Sequence, residues 1–169
     1  MQISKQGLHS YMFKKIIINF WLVNAVINGV MFFLITSDKG KMFGTEEIAF
    51  DYLMSIVILG MAAALTGFPI IKKDIDKGIA PKGTYEREEH IIVKYFSNNK
   101  IINSVIITIM TIILIVPFFV GIPAMFGMSK LNFIQSLILK TIATGFAGVI
   151  VGYFVIVLSF TESRKTSKA

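Results

Sequence analysis

The chain has 169 residues, of which 54% are hydrophobic and 16% charged; its mean hydropathy is +0.72 and its formal net charge is +7. A soluble domain of this length needs a charged shell, so the composition excludes an ordinary soluble globular protein. The Lys and Arg residues lie in clusters between long uncharged runs, which leaves no room for a soluble basic domain and argues against a nucleic-acid partner.

Four apolar runs follow one another along the chain, and each is long enough to cross the hydrocarbon layer, which takes about 20 helical residues. The first follows Lys14 and Lys15, as in a signal peptide, but it is too long for one and lacks a small-residue cleavage site, so we predict a retained helix. The sequence therefore predicts an all-α integral membrane protein with four transmembrane helices arranged as two parallel-repeat helical hairpins. The predicted parts are an N-terminal segment (1–15), hairpin 1 (16–71, spans 16–36 and 48–71), a basic loop (72–100), hairpin 2 (101–160, spans 101–123 and 134–160) and a basic tail (161–169).

The distribution of Lys and Arg predicts the orientation, because cytoplasmic loops are enriched in them. Three lie before the first span, seven between spans 2 and 3, and three after span 4, against three in the two loops on the other side. We expect both termini and the basic loop in the cytoplasm, facing anionic lipid. The richness in Ile, Lys and Asn is typical of AT-rich bacterial genomes, so the plasma (inner) membrane is the expected location.

A short motif occurs twice and suggests that the two hairpins are duplicates. Met-Phe-Gly stands at 42–44 and again at 125–127, an offset of 83, and Thr-Gly-Phe stands at 66–68 and 144–146, an offset of 78. Because both motifs fall in the same order along each hairpin, we predict a parallel repeat about an axis along the membrane normal. Convergence of two helix-loop-helix units under the same membrane constraints is the alternative. In either case each Met-Phe-Gly is expected in an outer loop, where its Gly permits a tight turn into the next helix.

Small residues form stripes on two of the predicted helices and predict close helix contacts, since small side chains let backbones approach. Whether these contacts are internal or form a homodimer stays open, because the motif does not name its partner. The three prolines near helix ends are expected to end helices. The small-residue positions are Gly60, Ala64 and Gly67 in helix 2 and Gly145, Gly148 and Gly152 in helix 4.

Polar and ionisable residues within the spans are few. Asn24 and Asn28 lie one turn apart on helix 1, and Ser and Thr residues share a face of helix 3. This pattern predicts one of two arrangements. Either these side chains line a polar track across the membrane, or they hydrogen-bond to their own and neighbouring helices. Asp51 and Lys140 are the exceptional charges, because ionisable groups within spans are rare and costly. We predict that they form an ion pair joining the two hairpins, although the repeat alignment places Lys140 about two turns deeper than Asp51.

The basic loop is predicted to contain a short amphipathic helix over 85–97, capped by Thr84. Glu86 and His90 are spaced i, i+4, but two ligands do not make a metal site, and the chain has no Cys. The sequence contains no nucleotide-binding, serine-hydrolase or zinc-protease motif. We therefore expect no cofactor, no metal and no catalytic residue.

Two functions remain. The first is a non-enzymatic accessory, assembly or immunity-type protein that binds another membrane component. The second is a small oligomeric transporter or channel that uses the polar faces of helices 1 and 3 and Lys140. No acidic residue lies near the centre of a span, which argues against a proton-coupled exporter of the small multidrug type, and a membrane enzyme would need clustered His, Asp or Glu.

Overall fold

The computed structural model describes residues 5–81 and 91–167, and their side chains from 7 to 161 with the same gap. Four of its helical segments are long and apolar enough to cross a membrane, which confirms the predicted count within the described part of the chain. They are longer than the predicted spans. The helices are α1 (Lys5–Lys15), a π-helical segment (Ile16–Leu22), α2 (Val23–Ile35), α3 (Thr45–Asp76), α4 (Lys100–Met125) and α5 (Phe133–Ser167).

The first span is one continuous helix, in which α1, the π segment and α2 follow without a break. A π segment is a wider turn that changes which backbone carbonyls keep helical partners. Here the Phe20 carbonyl accepts a hydrogen bond of 2.7 Å from the Asn24 side chain and lies against Gly148 of α5. The wider π segment of the first span therefore lies against Gly148, where α5 has no side chain in the way.

Prolines do not end the helices, contrary to the prediction. Pro69 lies inside α3, which continues to Asp76, and α4 contains both Pro117 and Pro123 before it ends at Met125. Membrane helices tolerate a proline where neighbouring helices or Ser and Thr side chains serve the freed backbone groups. One turn before Pro69, Thr66 donates a hydrogen bond of 2.7 Å to the Ala62 carbonyl of its own helix.

Helix α5 is the central helix. Most of its side chains between 143 and 160 are buried, whereas each of the other three spans exposes an apolar face of the kind that lipid covers. The first span packs mainly against α5, and α3 packs against both α4 and α5. Thus the first span contacts α5 more extensively than it contacts α3, although α3 is the helix that follows it in the chain.

The small-residue stripes face other helices of the same chain. A Cβ at Gly148 would lie 2.3 Å from the Phe20 carbonyl oxygen, and one at Gly152 would lie 2.6 Å from the Phe20 ring. On α3, Gly67 meets Val155 and the same ring. Gly145 lies against Trp21, Gly60 against Thr108, and Ala64 is fully buried. Both stripes are therefore used for packing within one chain.

The loops after α2 and α4 meet at one end of the molecule, which we call the strand end. Strands β1 (Phe43–Gly44) and β2 (Lys130–Leu131) pair there in antiparallel register, with Phe43 opposite Leu131. Lys39 closes α2 by donating to the carbonyls of Phe33 and Thr36. The short sheet ties the start of α3 to the start of α5.

The two Met-Phe-Gly motifs occupy different structural positions, which corrects the predicted alignment. Gly44 is the N-cap of α3 with an extended backbone, whereas Gly127 follows the end of α4 with φ +69°. The positive φ at Gly127 is the left-handed conformation that glycine adopts after a helix. The first motif therefore starts a helix, and the second ends one.

The opposite end is closed by the segment after α3. Residues 82–90 lie outside the described residues, and with them the first six residues of the predicted amphipathic helix over 85–97. Of the rest, Val93–Tyr95 forms one 3-10 turn rather than an α-helix. Val93 and Phe96 are buried, and the Phe96 ring stacks on Phe154 of α5 at 5.5 Å between centroids, whereas Tyr95 is exposed.

A polar cluster ties α1 to the end of α3 at this same end. The Asp74 carboxylate accepts a hydrogen bond of 2.8 Å from the Tyr11 hydroxyl and pairs with the Lys15 ammonium at 2.6 Å. The Asp74 carbonyl also accepts from the backbone N–H groups of Ile79 and Ala80. Asp74 therefore fixes both the first helix and the chain that leaves α3.

Candidate functional site

The structure brings Asp51 of α3 and Lys140 of α5 together near the strand end. The Lys140 ammonium lies 2.7 Å from Asp51 Oδ1, and it lies 5.0 Å from the centroid of the Phe32 ring of α2. The Lys140 side chain is 6% exposed and that of Asp51 is 38% exposed. A buried ammonium thus meets a half-exposed carboxylate and an aromatic face, and both stabilise its charge.

The two charges lie at the same depth because α3 and α5 start side by side. Asp51 stands six residues after the first residue of α3, and Lys140 seven residues after the first residue of α5. The difference of two turns expected from the motif alignment is therefore wrong. An alignment on the helix starts, 45 and 133, gives an offset of 88 and sets Asp51 beside Leu139, next to Lys140.

Matching N-terminal caps hold these two helix starts. The Gly44 N–H donates to the Glu47 carboxylate at 3.1 Å. In α5 the Asn132 N–H donates to the Gln135 side chain at 3.0 Å, and the Gln135 N–H donates back to Asn132 at 2.9 Å. The bonds are reciprocal only in α5, but in both helices they satisfy backbone donors at the helix start. They fix the register in which Asp51 and Lys140 face each other.

A cavity of about 320 Å³ lies over the ion pair, between the end of α2, the first turns of α3 and the start of α5. Small-molecule sites in proteins typically have volumes of about 300–1,000 Å³, so this cavity is large enough for one. A second ion pair, Lys41 to Glu47 at 2.9 Å, lies at its exposed mouth. The polar residues of its lining are Thr36, Lys41, Glu47, Asp51, Tyr52, Ser136 and Lys140.

Two buried hydroxyls of this lining have no hydrogen-bond partner among the described residues. They are the hydroxyls of Tyr52, whose exposed fraction is 1%, and of Ser136, whose exposed fraction is 3%. A buried hydroxyl without a partner costs free energy, and native proteins leave few of them. Asn103 Oδ1 and Thr108 Oγ1, which lie outside this cavity, also have no partner among the described residues. Tyr52 and Ser136 differ from them in belonging to the lining of a cavity, where a bound molecule could supply a partner.

These residues were not predicted from the sequence, although a signal was present. Tyr52 is adjacent to Asp51, and Ser136 precedes Lys140 by one helical turn and therefore shares its face of α5. Phe32 gave no signal, because its position over Lys140 depends on the packing of the first span against α5.

The Asn and Ser/Thr faces do not form a polar track in the described part of the chain. Asn28 donates to the Asn24 carbonyl at 2.9 Å, and Asn24 donates to the Phe20 carbonyl, so both bond to their own helix rather than to a neighbour. Ser104 and Thr111 of α4 likewise bond to carbonyls one turn earlier. The notch beside Asn24 and Asn28 has a volume of about 10 Å³, about that of one water molecule.

Within the described residues, no group of three or more His, Asp or Glu side chains is placed to hold a metal ion. Glu86 and His90 lie outside those residues. Compared with protein-family models, with curated proteins and with solved structures, the chain gives no match. The arrangement of its own residues is therefore the basis for a function.

Proposed function

We propose that the chain is a non-enzymatic membrane protein of the accessory, assembly or immunity type, and that it binds another membrane component in the strand-end cavity. The observation that carries this proposal is the pair of unpartnered buried hydroxyls, Tyr52 and Ser136, beside the buried ammonium of Lys140. The cavity offers hydrogen-bond donors and charge for binding. Among the described residues, no three His, Asp or Glu side chains are grouped to hold a metal ion.

We further propose that the strand end faces away from the cytoplasm and that the termini and the basic loop are cytoplasmic. The excess of Lys and Arg in the loop between α3 and α4 supports this orientation in a plasma (inner) membrane. The cavity then lies at the level of the outer headgroups, where membrane components present their polar parts. Anionic lipid on the cytoplasmic side would attract the basic loop and tail.

The two hairpins are proposed to be parallel repeats that interleave. Support comes from the matching caps at 44–47 and 132–135 and from the antiparallel pairing of β1 with β2. The packing pattern agrees, because the first span lies on α5 as α4 lies on α3. Membrane proteins built from two repeats often bind their ligands at the interface between the repeats.

The function can be tested by photocrosslinking in living cells. A photoreactive phenylalanine analogue replaces Phe50, which lines the cavity and is 67% exposed, and a matched control carries it at Phe118 on α4, 61% exposed. We expect a discrete adduct at Phe50 that disappears when Lys140→Met is added. The control should give only general lipid adducts that do not depend on Lys140.

An adduct at Phe50 that is unaffected by Lys140→Met would contradict the proposal. So would ion flux through proteoliposomes that Lys140→Met abolishes, because a small oligomeric transporter or channel, the second candidate, predicts that result. The observation behind this second candidate is the notch beside Asn24 and Asn28. Because the notch is small, it supports a transport path less well than the strand-end cavity supports binding.

The proposed orientation can be tested by cysteine labelling, since the chain has no native Cys. Ser37→Cys, exposed at the strand end, should react with an impermeant maleimide on intact cells or spheroplasts. Lys77→Cys, exposed at the opposite end, should react only after lysis. The reverse pattern would place the cavity on the cytoplasmic side and contradict the orientation.

A further inference from the structure

The charges of the strand-end cavity balance, and this limits the kind of ligand it can hold. Its lining contains two ammonium groups, Lys41 and Lys140, and two carboxylates, Glu47 and Asp51. A purely anionic ligand would meet both carboxylates, and a purely cationic ligand would meet both ammonium groups. A ligand with one charge of each sign can approach Lys140 and the carboxylates at the same time, as electrostatic complementarity requires.

The buried floor of the cavity favours the anionic end of such a ligand. Lys140 is the deepest charge, and the hydroxyls of Tyr52 and Ser136 are donors without partners among the described residues. An ammonium and two hydroxyls on residues that line the same cavity suit a phosphate, whose oxygens accept several hydrogen bonds. The carboxylates are nearer the surface, with side chains 38% exposed for Asp51 and 50% for Glu47. Asp51 can therefore turn toward an ammonium while Lys140 binds the phosphate.

The rim of the cavity is apolar and lies on two different helices. Ile35 at the end of α2 is 71% exposed, and Phe50 in α3 is 67% exposed. Because the first span packs mainly on α5, α2 and α3 are not closely packed above the ion pair. Apolar chains attached to a polar group could therefore leave the cavity between α2 and α3, into the membrane.

We infer that the cavity binds the headgroup of one phospholipid that carries a phosphate and a primary ammonium, as phosphatidylethanolamine does. Lys140, Tyr52 and Ser136 bind the phosphate, Asp51 and Glu47 bind the ammonium, and the acyl chains pass between Ile35 and Phe50. This inference rests on the proposed function and names the membrane component that it binds.

The test is native mass spectrometry of the purified protein with lipids added one at a time. Phosphatidylethanolamine should give one saturable bound lipid per chain. Phosphatidylglycerol, which lacks the ammonium, and phosphatidylcholine, whose quaternary ammonium cannot donate to a carboxylate, should each bind several-fold more weakly. Glycerophosphoethanolamine, the soluble headgroup, should compete poorly because it has no acyl chains.

Three variants remove single donors. Tyr52→Phe and Ser136→Ala keep the shape of the cavity and should each weaken binding about tenfold, the loss typical of one hydrogen bond to a charged group. Lys140→Met should abolish saturable binding. Tyr153→Phe, which removes a tyrosine hydroxyl outside the cavity, should bind like the wild type. Melting temperatures measured on the same samples separate lost binding from lost folding.

Equal binding of all three lipids, or equal binding by Tyr52→Phe and wild type, would overturn the inference. Tight binding of the soluble headgroup would show that a free phosphate ester, not a lipid, is the ligand. The crosslinked adduct at Phe50 shows whether only the lipid inference fails or the proposed function fails as well. If it depends on Lys140 but contains a protein or another small molecule, the lipid is wrong and the function stands. If no such adduct forms, both fail.

Discussion

Asp51→Asn should lower the free energy of unfolding by about 2 kcal/mol, because it leaves the Lys140 ammonium buried without a counter-charge. This estimate is below the values typical of a fully buried pair, since the Asp51 side chain is 38% exposed and water screens part of the interaction. Lys140→Met should be neutral or slightly stabilising, because it removes the buried charge itself and keeps most of the volume. Unfolding in mixed detergent micelles, with tryptophan fluorescence as the signal, measures both.

The double variant Asp51→Asn, Lys140→Met should recover most of the loss, which gives a coupling of about 1–2 kcal/mol between the two positions. The exposed pair of Lys41 and Glu47 is the internal control, and its double-mutant cycle should show a much smaller coupling. Strictly additive effects of Asp51→Asn and Lys140→Met would mean that the two groups do not interact in the folded protein.

The count of membrane-spanning helices could be predicted from the sequence because the bilayer constrains the backbone so strongly. A segment in lipid must satisfy its own N–H and C=O groups, so a long apolar run becomes a helix. The helix ends were harder. Pro69 was expected to end its helix, yet α3 continues to Asp76. The reason is that a membrane helix tolerates a proline where its surroundings serve the freed backbone groups, which hydropathy does not report.

The contact of Asp51 with Lys140 could be predicted from the cost of burying charge rather than from hydropathy. Two charges in apolar spans are costly apart, so their pairing was the natural hypothesis. Their depth was mistaken because the alignment used Met-Phe-Gly, which starts α3 in one half and ends α4 in the other. Glu47 and Gln135, each three residues after its N-cap, gave a better alignment and were visible in the sequence.

The cavity itself could not be predicted. It exists because the first span packs on α5, and the choice between α3 and α5 as its neighbour depends on fine packing. The π segment contributes to that choice, since the Phe20 carbonyl lies against Gly148. Nothing in the apolar periodicity of residues 16–22 distinguishes a π from an α turn. Tyr52 and Ser136 therefore looked like ordinary polar residues until the helices were placed.

Gly148→Ala should lower the free energy of unfolding by about 2 kcal/mol, the cost typical of an extra carbon in a packed interior. The added Cβ would lie 2.3 Å from the Phe20 carbonyl oxygen and 2.9 Å from the Asn24 amide nitrogen. The first contact is with backbone, so no side-chain rotation relieves it, and the first span must move away from α5. Unfolding in mixed micelles measures the loss, and a leucine at this position should prevent the native packing altogether.

Gly121→Ala in α4 is the matched control, because a Cβ there meets no atom within 4 Å. It should be neutral or slightly stabilising, since Ala is the better helix former. Gly29→Ala should fall between the two, because its Cβ would meet the Thr141 hydroxyl at 2.8 Å and a side chain can rotate away. Equal stabilities for all three variants would contradict the close contact of α5 with the π segment. A change in oligomer size alone at Gly148 would instead make this face a contact between two copies of the chain.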